Sequence, residues 1–453
     1  MSEMNRPGEE GARSSIGKNT AVGLATNVVT FTLGILVSIV LTRSLGADGR
    51  GIYALLVATN VLLTYASGLS IELAFSTFLA RGRYTLGTAS TIALLLAVTL
   101  GLVGLLVVTA LYPFLSDNVF LNVPYAYIVI ALLLTIFTIY LSYWNAMMVG
   151  LNRVIAVSKY NLAASVGNTL FMVLMVGVLQ LGIPGFLVAW ATSTVVGGIV
   201  ALAWSARMQR PAWPPERRAL REMVGFGLRL HGMAIAHHFF LRFDMFALNA
   251  LAGTARVGYY SVATSLAEKL WVPLDVINQS SLAKVAQLPR DESALLAAKL
   301  ARTAILMMLS MALPIAAVSP WLIPFMYGRD FSEAVPPFVI LLLGILGFAV
   351  MLVLNSYILG QMERPGLLSI VAWLQLGVSI PLYITLILWL GVVGAAIASA
   401  LTYILAGACT TYIFVRDSGL RVSQVLLPRA SDFHDYGRVI ARGWNRLRVL
   451  RGR

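Results

Sequence analysis

Long apolar stretches, separated by short polar ones, run along most of the chain. Twelve of them reach the roughly 20 residues that a helix needs to cross a bilayer. Their apolar positions are continuous and do not alternate with polar ones, which excludes a transmembrane β-barrel. The pattern therefore predicts an all-α polytopic membrane protein of about twelve transmembrane helices. The predicted spans are Ala21–Thr42, Ile52–Ala80, Thr88–Leu111, Tyr125–Val149, Tyr160–Leu181, Gly185–Ser205, Val224–Leu251, Tyr259–Leu282, Ala301–Met326, Pro337–Leu359, Leu367–Leu390 and Val392–Val415.

Composition agrees with this pattern. Of the 453 residues, 59% are hydrophobic and only 11% are charged, against about 25% charged in a soluble domain. The first apolar run is too long for a cleavable signal, so we expect it to remain as a span. The single cysteine, Cys409, excludes an intrachain disulfide and any multi-cysteine metal or iron–sulfur site.

Basic residues predict the orientation. With the N-terminus inside, 26 of the 33 lysines and arginines fall on the inner side and four on the outer side. This bias places both termini in the cytoplasm. A proline- and arginine-rich break separates two sets of six spans, and its composition indicates a cytoplasmic linker. The expected regions are a cytoplasmic N-terminal tail 1–17, an N-lobe 18–206 (helices 1–6), a linker 207–222, a C-lobe 223–415 (helices 7–12) and a basic tail 416–453.

The two halves repeat each other at a nearly constant offset. Six spans is an even number, so the halves share one orientation and are related by an axis along the membrane normal. Two such lobes enclose a cleft, which is a transporter design; a fused bundle without transport is the alternative. The matched positions are Gly46, Gly51 and Tyr53 with Gly253, Gly258 and Tyr260; Asn145 and Gly150 with Asn355 and Gly360; and Leu181, Gly182 and Gly185 with Leu390, Gly391 and Gly394.

Several of these turn motifs resemble a known family. The segment from Leu41 to Tyr53, with the motifs Gly258-Tyr259-Tyr260-Ser261, Tyr327-Gly328 with Phe331, and Leu390-Gly391-x-x-Gly394, is similar to polysaccharide-type (O-antigen-type) flippases. These belong to the multidrug/oligosaccharidyl-lipid/polysaccharide exporter (MOP) superfamily. The resemblance covers residues 16–415. It implies twelve or fourteen helices in two lobes and alternating access for a lipid-linked oligosaccharide, moved from the inner to the outer leaflet of the bacterial cytoplasmic membrane. It implies no catalytic residues.

Span seven carries most of the charge within the predicted membrane region. Because a charge at the bilayer centre costs roughly 2.5–3.5 kcal/mol, this span must face protein or water. His231, His238 and Arg242 fall within about 40° on a helix and form a basic stripe. We expect this stripe, with Lys269 and Arg229, to bind the pyrophosphate of a polyprenyl-linked sugar, because guanidinium forks suit phosphate oxygens. The alternatives are that Arg242 pairs with Asp275 or Glu268 to fix helix packing, and that Arg229 only snorkels.

Carboxylates within the spans suggest an energy source. Intramembrane acids often relay ions, so a proton or Na⁺ could bind there, although the same acids could merely partner the basic residues. The coupling-ion candidates are Glu72, Glu268 and Asp275. Adjacent residues of a helix point about 100° apart, so His237 and His238 cannot share one ion, and no metal site or other cofactor is expected. At the outer mouth, three basic residues either hold the exiting headgroup or are solvated: Arg43, Arg50 and Arg256.

The basic tail predicts an amphipathic helix on the anionic inner leaflet. A tail that only enforces topology is the alternative, and nucleic acid is not an expected partner. The apolar face of this helix comprises Phe433, Tyr436, Ile440, Trp444 and Leu447.

Three other functions compete with this interpretation. A membrane polymerase or ligase of the same pathway needs a sizeable outer loop, but the longest here, Tyr112–Pro124, is short, and no phosphate-binding loop occurs. A multidrug exporter would favour an acidic cleft, whereas the charged stripe of span seven is basic. Lipid II is itself a pyrophosphate, so charge does not distinguish it from the expected substrate. The expected function is thus non-enzymatic transport of a lipid-linked oligosaccharide, with anionic lipids and polysaccharide assembly proteins as partners.

Overall fold

The computed structural model describes residues 7–430 and 432–433. Side chains at 7–25, 230, 275–277, 279–281 and 283 are outside this description. The described chain is helical and contains no strand. The helices are α1 Pro7–Ser67, α2 Glu72–Ala80, α3 Leu86–Asn118, α4 Tyr125–Gly150, α5 Val154–Met172 with a π-helical extension Val173–Val178, α6 Gly182–Met208, α7 Arg217–Ala252, α8 Thr254–Glu268, α9 Trp271–Gln287, α10 Arg290–Tyr327 followed by a 3₁₀ turn Arg329–Ala334, α11 Val335–Gly360, α12 Pro365–Ser418 and α13 Val422–Leu426.

Eight helical stretches in the described residues are long and apolar enough to cross a membrane. Two of these, Thr26–Ser67 and Pro365–Ser418, contain 42 and 54 residues. Each is interrupted by one residue with non-helical dihedral angles, Gly46 or Gly391. The first stretch covers predicted span one and the first part of span two, and the second covers spans eleven and twelve. Predicted spans seven and eight correspond to α7 and to α8 with α9, which are less apolar. The all-α layout of twelve spans is thus confirmed.

Left-handed glycines mark equivalent turns in the two halves. Gly46 has a φ of 68° and Gly253 a φ of 85°, while Gly182 and Gly391 have φ values of 61° and 56°. Such angles favour glycine because a Cβ would clash with the backbone. The turn at Gly391 lies between the predicted spans Leu367–Leu390 and Val392–Val415, and these glycine pairs agree with the repeat offsets of the sequence.

Several helices begin or end at other residues than the predicted spans. Helix α3 continues past the predicted end at Leu111 to Asn118, with Pro113 inside it. The segment 217–222 of the predicted linker already belongs to α7, so 209–216 is the part without a helix. Spans two and eight, predicted as continuous, are each broken: one between Ser67 and Glu72, the other between Glu268 and Trp271.

The chain divides into two compact units. The first comprises residues 1–238 and 253–258, and the second 239–252 and 259–453. In the first unit, a core of Phe75, Phe78, Tyr143 and Trp144 extends to Met223 near the start of α7. In the second, α11 is the most buried of the candidate spans and packs mainly against α12 and α10. The predicted lobe boundaries stay a prediction.

The start of the basic tail folds back onto α10 within the second unit. Arg302 on α10 forms an ion pair with Asp432, Nε to Oδ2 at 2.6 Å, and both side chains are buried. Arg302 also donates to the carbonyl oxygen of Gln424 in α13. The Arg302 guanidinium lowers the pKa of the Asp432 carboxyl. Apart from Phe433, the residues of the predicted amphipathic helix lie outside the described part of the chain.

Candidate functional site

The break in span two is held in an unusual backbone conformation. Between α1 and α2, Leu69 and Ser70 both have φ near 52°, a left-handed conformation that costs non-glycine residues energy. The Tyr143 hydroxyl of α4 donates a 2.8 Å hydrogen bond to the carbonyl oxygen of Gly68. The Ile71 N–H also donates to this carbonyl, at 3.2 Å, so the turn and α4 together satisfy the oxygen at the end of α1.

A small polar cavity lies beside this break. It has a volume of about 10 Å³, which is room for one water molecule. The hydroxyl of Thr64 is buried and has no hydrogen-bond partner there. Glu72, one of the predicted coupling-ion residues, contributes to the wall. The full lining is Thr64, Tyr65, Gly68, Glu72, Ile139, Ser142 and Tyr143.

Two histidines of the predicted basic stripe contact span two within the first unit. His231 is buried, and its Nδ1 lies 3.4 Å from the Ser70 hydroxyl. The ring of His238 stacks on Tyr65 with 3.3 Å between ring centroids. The imidazole rings of the first part of α7 thus pack against span two, one at the break in that span and one just before it.

Arg242, the third member of the stripe, pairs with an acid in the second unit. Its two terminal nitrogens contact both carboxylate oxygens of Glu268, at 2.5 and 3.2 Å. Both side chains are about three-quarters buried or more, with 21% and 26% exposed. This bidentate arrangement is the strong form of an ion pair. It matches one of the two pairings that the sequence left open, and Glu268 is therefore engaged in this conformation.

The other predicted residues are more scattered. Lys269 is half-buried beside the break between α8 and α9, and Arg229 is exposed. The side chain of Asp275 lies outside the described part of the structure. Of the outer-mouth residues, Arg43 and Arg256 are exposed. Arg50 is buried, and its guanidinium lies 4.7 Å from the centre of the Tyr53 ring.

Sequence reasoning missed a buried hydrogen-bond network in the second unit. Asp244 accepts hydrogen bonds from the Tyr260 hydroxyl and from its neighbour's backbone N–H, both at 2.8 Å. Tyr260 and Tyr383 both meet the hydroxyl of Ser399, at 2.7 and 2.9 Å. The network joins α7, α8 and the two parts of α12. Serines and tyrosines are common in membrane helices, so only the charge of Asp244 was visible from the sequence.

The comparisons with known proteins identify the family. Residues 16–283 match the family model described as polysaccharide biosynthesis protein. The chain belongs to this family. No curated protein sequence gives a significant match.

Solved structures with the same fold are MOP superfamily transporters. An inward-facing multidrug resistance MATE transporter matches with a TM-score of 0.70 at 14% identity, over 89% of this polysaccharide biosynthesis family member and 98% of that chain. A MOP superfamily transporter from Pyrococcus furiosus, described as having a binding pocket of reverse polarity, matches with a TM-score of 0.62 at 13% identity. The match covers 90% of this chain and 94% of that one. The bent form of the Vibrio cholerae MATE transporter VcmN matches with a TM-score of 0.58 at 15% identity, over 90% of this chain and 99% of that one. At these identities the likeness establishes the fold: a multi-pass membrane protein with the architecture of MOP transporters.

Proposed function

We propose that this protein is an alternating-access flippase for a polyprenyl-pyrophosphate-linked oligosaccharide. It moves the substrate from the inner to the outer leaflet of the bacterial cytoplasmic membrane for polysaccharide biosynthesis. The family match over residues 16–283 carries the proposal, because it joins a polysaccharide pathway to the fold of membrane transporters. Transport without covalent chemistry is what such a fold supplies, and a pathway that builds glycans on a lipid needs that step.

The pyrophosphate is the part of the substrate that most needs the protein. It is multiply anionic, and moving it through a low-dielectric region without a positive partner is costly. Arg242 supplies a charged planar fork within a membrane helix, and Glu268 occupies that fork in this conformation. A pyrophosphate presents the same paired oxygen acceptors as a carboxylate. We infer that substrate takes the place of Glu268 on Arg242, with His231, His238, Lys269 and Arg229 as further binding residues.

Displacing Glu268 links headgroup binding to ion uptake. Once separated from Arg242, the Glu268 carboxylate would be an unpaired charge in the membrane region and would favour a bound cation. Glu72, Glu268 and Asp275 remain the candidates for a proton or Na⁺ that drives the cycle. On the exit side, the outer arginines hold the departing headgroup: Arg43, Arg50 and Arg256.

Two related substrates compete with this assignment. The similar folds include a multidrug resistance transporter, so a cationic drug is one alternative substrate. Lipid II is the other, and it offers the same pyrophosphate with a different sugar. Organic cations would be repelled by a free Arg242, so the charge of that residue discriminates drug export from lipid-linked sugar transport. A polymerase or ligase would instead change the length of the glycan, which transport leaves unaltered.

A reconstituted flipping assay tests the proposal. The protein is placed in liposomes containing a fluorescent polyprenyl-pyrophosphate-linked oligosaccharide, and a membrane-impermeant quencher reports which leaflet holds the label. We expect protein-dependent flipping that Arg242→Ala lowers at least about tenfold, equivalent to about 1.4 kcal/mol of lost binding. Arg242→Lys should retain part of the activity. Arg364→Ala, in an exposed loop, is the matched control and should flip normally.

Three outcomes would contradict parts of the proposal. Full activity of Arg242→Ala would remove that residue from the headgroup site. Export of organic cations without flipping of the lipid-linked sugar would favour the multidrug function. Lengthening of the glycan in the same vesicles would identify an enzyme.

A further inference from the structure

The loop between α6 and α7 presents an apolar run to its surroundings. Residues 209–216 form no helix, and the sequence Pro-Ala-Trp-Pro at 211–214 is exposed throughout. Trp213 is 76% exposed, although an indole ring is one of the largest apolar surfaces that a side chain can bury. Helix α6 is a candidate membrane span that ends at Met208, so the run begins directly beyond that span. The run therefore indicates a surface that another molecule covers.

Backbone contacts hold this loop against the start of α3 within the first unit. The Ala212 N–H donates a 3.2 Å hydrogen bond to the carbonyl oxygen of Gly87. A Cβ added to Gly87 would lie 2.6 Å from the carbonyl oxygen of Arg210, so a glycine is required where the loop approaches the helix. Because its backbone is fixed at this point, the loop keeps Trp213 close to the ends of two membrane helices. Trp213 thus lies at the membrane surface that the charge bias predicts to be the inner one.

Exposed arginines surround the loop. The segments 81–83 and 207–222 contain seven exposed arginines and two glutamates, an excess of five positive charges. One of the glutamates, Glu222, is already paired, because it contacts Arg83 at 2.7 Å and Arg218 at 3.1 Å. The surface is therefore strongly basic around its exposed aromatic ring. The arginines are Arg81, Arg83, Arg207, Arg210, Arg217, Arg218 and Arg221.

The combination of an interfacial tryptophan with clustered arginines fits an anionic lipid surface. Tryptophan favours the boundary between membrane and water, because its ring is apolar and its N–H is polar. Clusters of roughly four to eight basic residues directly beside a membrane helix attract the anionic headgroups of the inner leaflet. A cytoplasmic protein partner offers negative charge too, but the short tether to α3 and α6 keeps the ring at the depth of the lipid headgroups.

Other exposed tryptophans support this assignment by their positions. Among the described residues, Trp321 and Trp389 are similarly exposed, at 72% and 78%. They lie near the outer ends of predicted spans nine and eleven, where an interfacial belt of aromatic rings is expected. Neither has a basic cluster beside it comparable to that of Trp213. Trp213 is thus an inner counterpart of these rings, with added selectivity for negative charge.

We propose that Trp213 and the surrounding arginines form a docking surface for anionic phospholipids of the inner leaflet. The ring inserts among the headgroups, and the guanidinium groups pair with lipid phosphates. Docking holds the inner end of the first unit at the membrane surface. It requires neither the transported lipid nor the proposed flippase function.

Tryptophan quenching in nanodiscs measures this docking on the purified full-length protein. The discs contain phosphatidylcholine alone or mixed with phosphatidylglycerol, and both include a phosphatidylcholine with a nitroxide on its headgroup as the quencher. The difference between the unaltered protein and Trp213→Phe isolates the signal of Trp213. We expect phosphatidylglycerol to increase the quenching of Trp213 at least about twofold. Raising NaCl from about 0.05 M to about 0.5 M should reverse most of this increase, because salt screens exposed charges.

Matched variants connect the signal to the surface. The quenching of Trp321, isolated in the same way with Trp321→Phe, should not respond to phosphatidylglycerol. The double variant Arg210→Gln, Arg217→Gln should lose at least about half of the increase at Trp213. Arg364→Gln, at an exposed position of the second unit, should retain the full increase.

Three results would overturn the proposal. The first is quenching of Trp213 that is equal with and without phosphatidylglycerol. The second is a response that the double arginine variant leaves unchanged. The third is a ring that acrylamide in the water reaches equally in both kinds of disc and that becomes protected only when cytoplasmic proteins are added, which would assign the surface to a protein partner. A failed flipping assay would leave all of these measurements unaffected.

Discussion

At the residue scale, Arg242 and Glu268 are two predicted site residues that form a bidentate, largely buried ion pair. Arg242→Ala leaves the Glu268 carboxylate largely buried without its ion-pair partner, and Glu268→Ala leaves the Arg242 guanidinium with a hydrogen bond to the Leu241 carbonyl but without that carboxylate. We expect each to lower the free energy of unfolding by about 1–3 kcal/mol. The double variant should lower the free energy of unfolding by less than the sum of the two single variants, because it leaves neither charge buried without a partner.

A double-mutant cycle on detergent-purified protein, read by thermal unfolding, measures this coupling. The exposed pair of Arg290 with Asp417, in which the arginine is 61% exposed, serves as the comparison. Its coupling should stay below about 1 kcal/mol because water screens it. If the effects of Arg242→Ala and Glu268→Ala simply added, the two side chains would not stabilise each other and the observed contact would have no energetic role.

Single residues also show why the site was only partly predictable. Charge within an apolar run is conspicuous, so Arg242, Glu72 and the histidines could be selected from the sequence alone. Their partners could not, because helical periodicity gives the face of a residue and says nothing about which neighbouring helix lies against it. Thr64 became notable only when the structure showed that its hydroxyl lacks a partner.

At the scale of elements, two glycines allow a close reciprocal approach within the first unit. A Cβ added to Gly51 of α1 would overlap the carbonyl oxygen of Thr254, and one added to Gly258 of α8 would overlap that of Ala47. These four positions are related by the repeat offset of 207 residues that the sequence suggested. The contact is therefore made by the same surface from each half.

Substituting either glycine should separate these backbones. Gly51→Ala and Gly258→Ala should each destabilise the protein by about 1–3 kcal/mol through overpacking. Gly167→Ala is the matched control on α5, where an added Cβ meets nothing within 4 Å, and it should be neutral or slightly stabilising. Thermal unfolding compares the three, and equal behaviour of all three would contradict the steric argument.

The folded start of the tail is a second element with a measurable energy. Arg302 lowers the pKa of Asp432. The ion pair therefore contributes its full stabilisation of the folded segment at pH values above the ordinary aspartate pKa of about 4. That contribution is lost as pH falls through the lowered value, so it should be constant between pH 6 and 8. Asp432→Asn should expose the segment at all these pH values.

Limited trypsin digestion at pH 6, 7 and 8 measures this exposure. Cleavage after Arg421 and Arg429, which flank α13, should be several-fold faster in Asp432→Asn than in the unaltered chain. The protection of the unaltered chain should not vary with pH across this range beyond the intrinsic activity of trypsin. Identical digestion of the two proteins would show that the ion pair does not hold the segment.

At the scale of the whole molecule, hydropathy alone predicted most of the architecture. Twelve apolar runs became the helical spans, and the turns at Gly46, Gly182 and Gly391 were visible because left-handed backbone favours glycine. The breaks in spans two and eight were not predicted, since neither residues 68–71 nor residues 269–270 include a proline to stop the helix. The length of the run Ile52–Ala80, well above the roughly 20 residues required, was the one available signal.

Orientation in the membrane is the whole-molecule prediction that remains to be measured. The 26-to-4 distribution of basic residues places the linker inside and the end of α3 outside. Cys409 is the single cysteine, so Cys409→Ser provides a background without thiols. In that background, Asp117→Cys and Ala212→Cys each add one thiol at an exposed position. A membrane-impermeant maleimide added to intact cells should label the first and should reach the second only after permeabilisation. Labelling in the opposite order would invert the topology and, with it, the direction of transport that we propose.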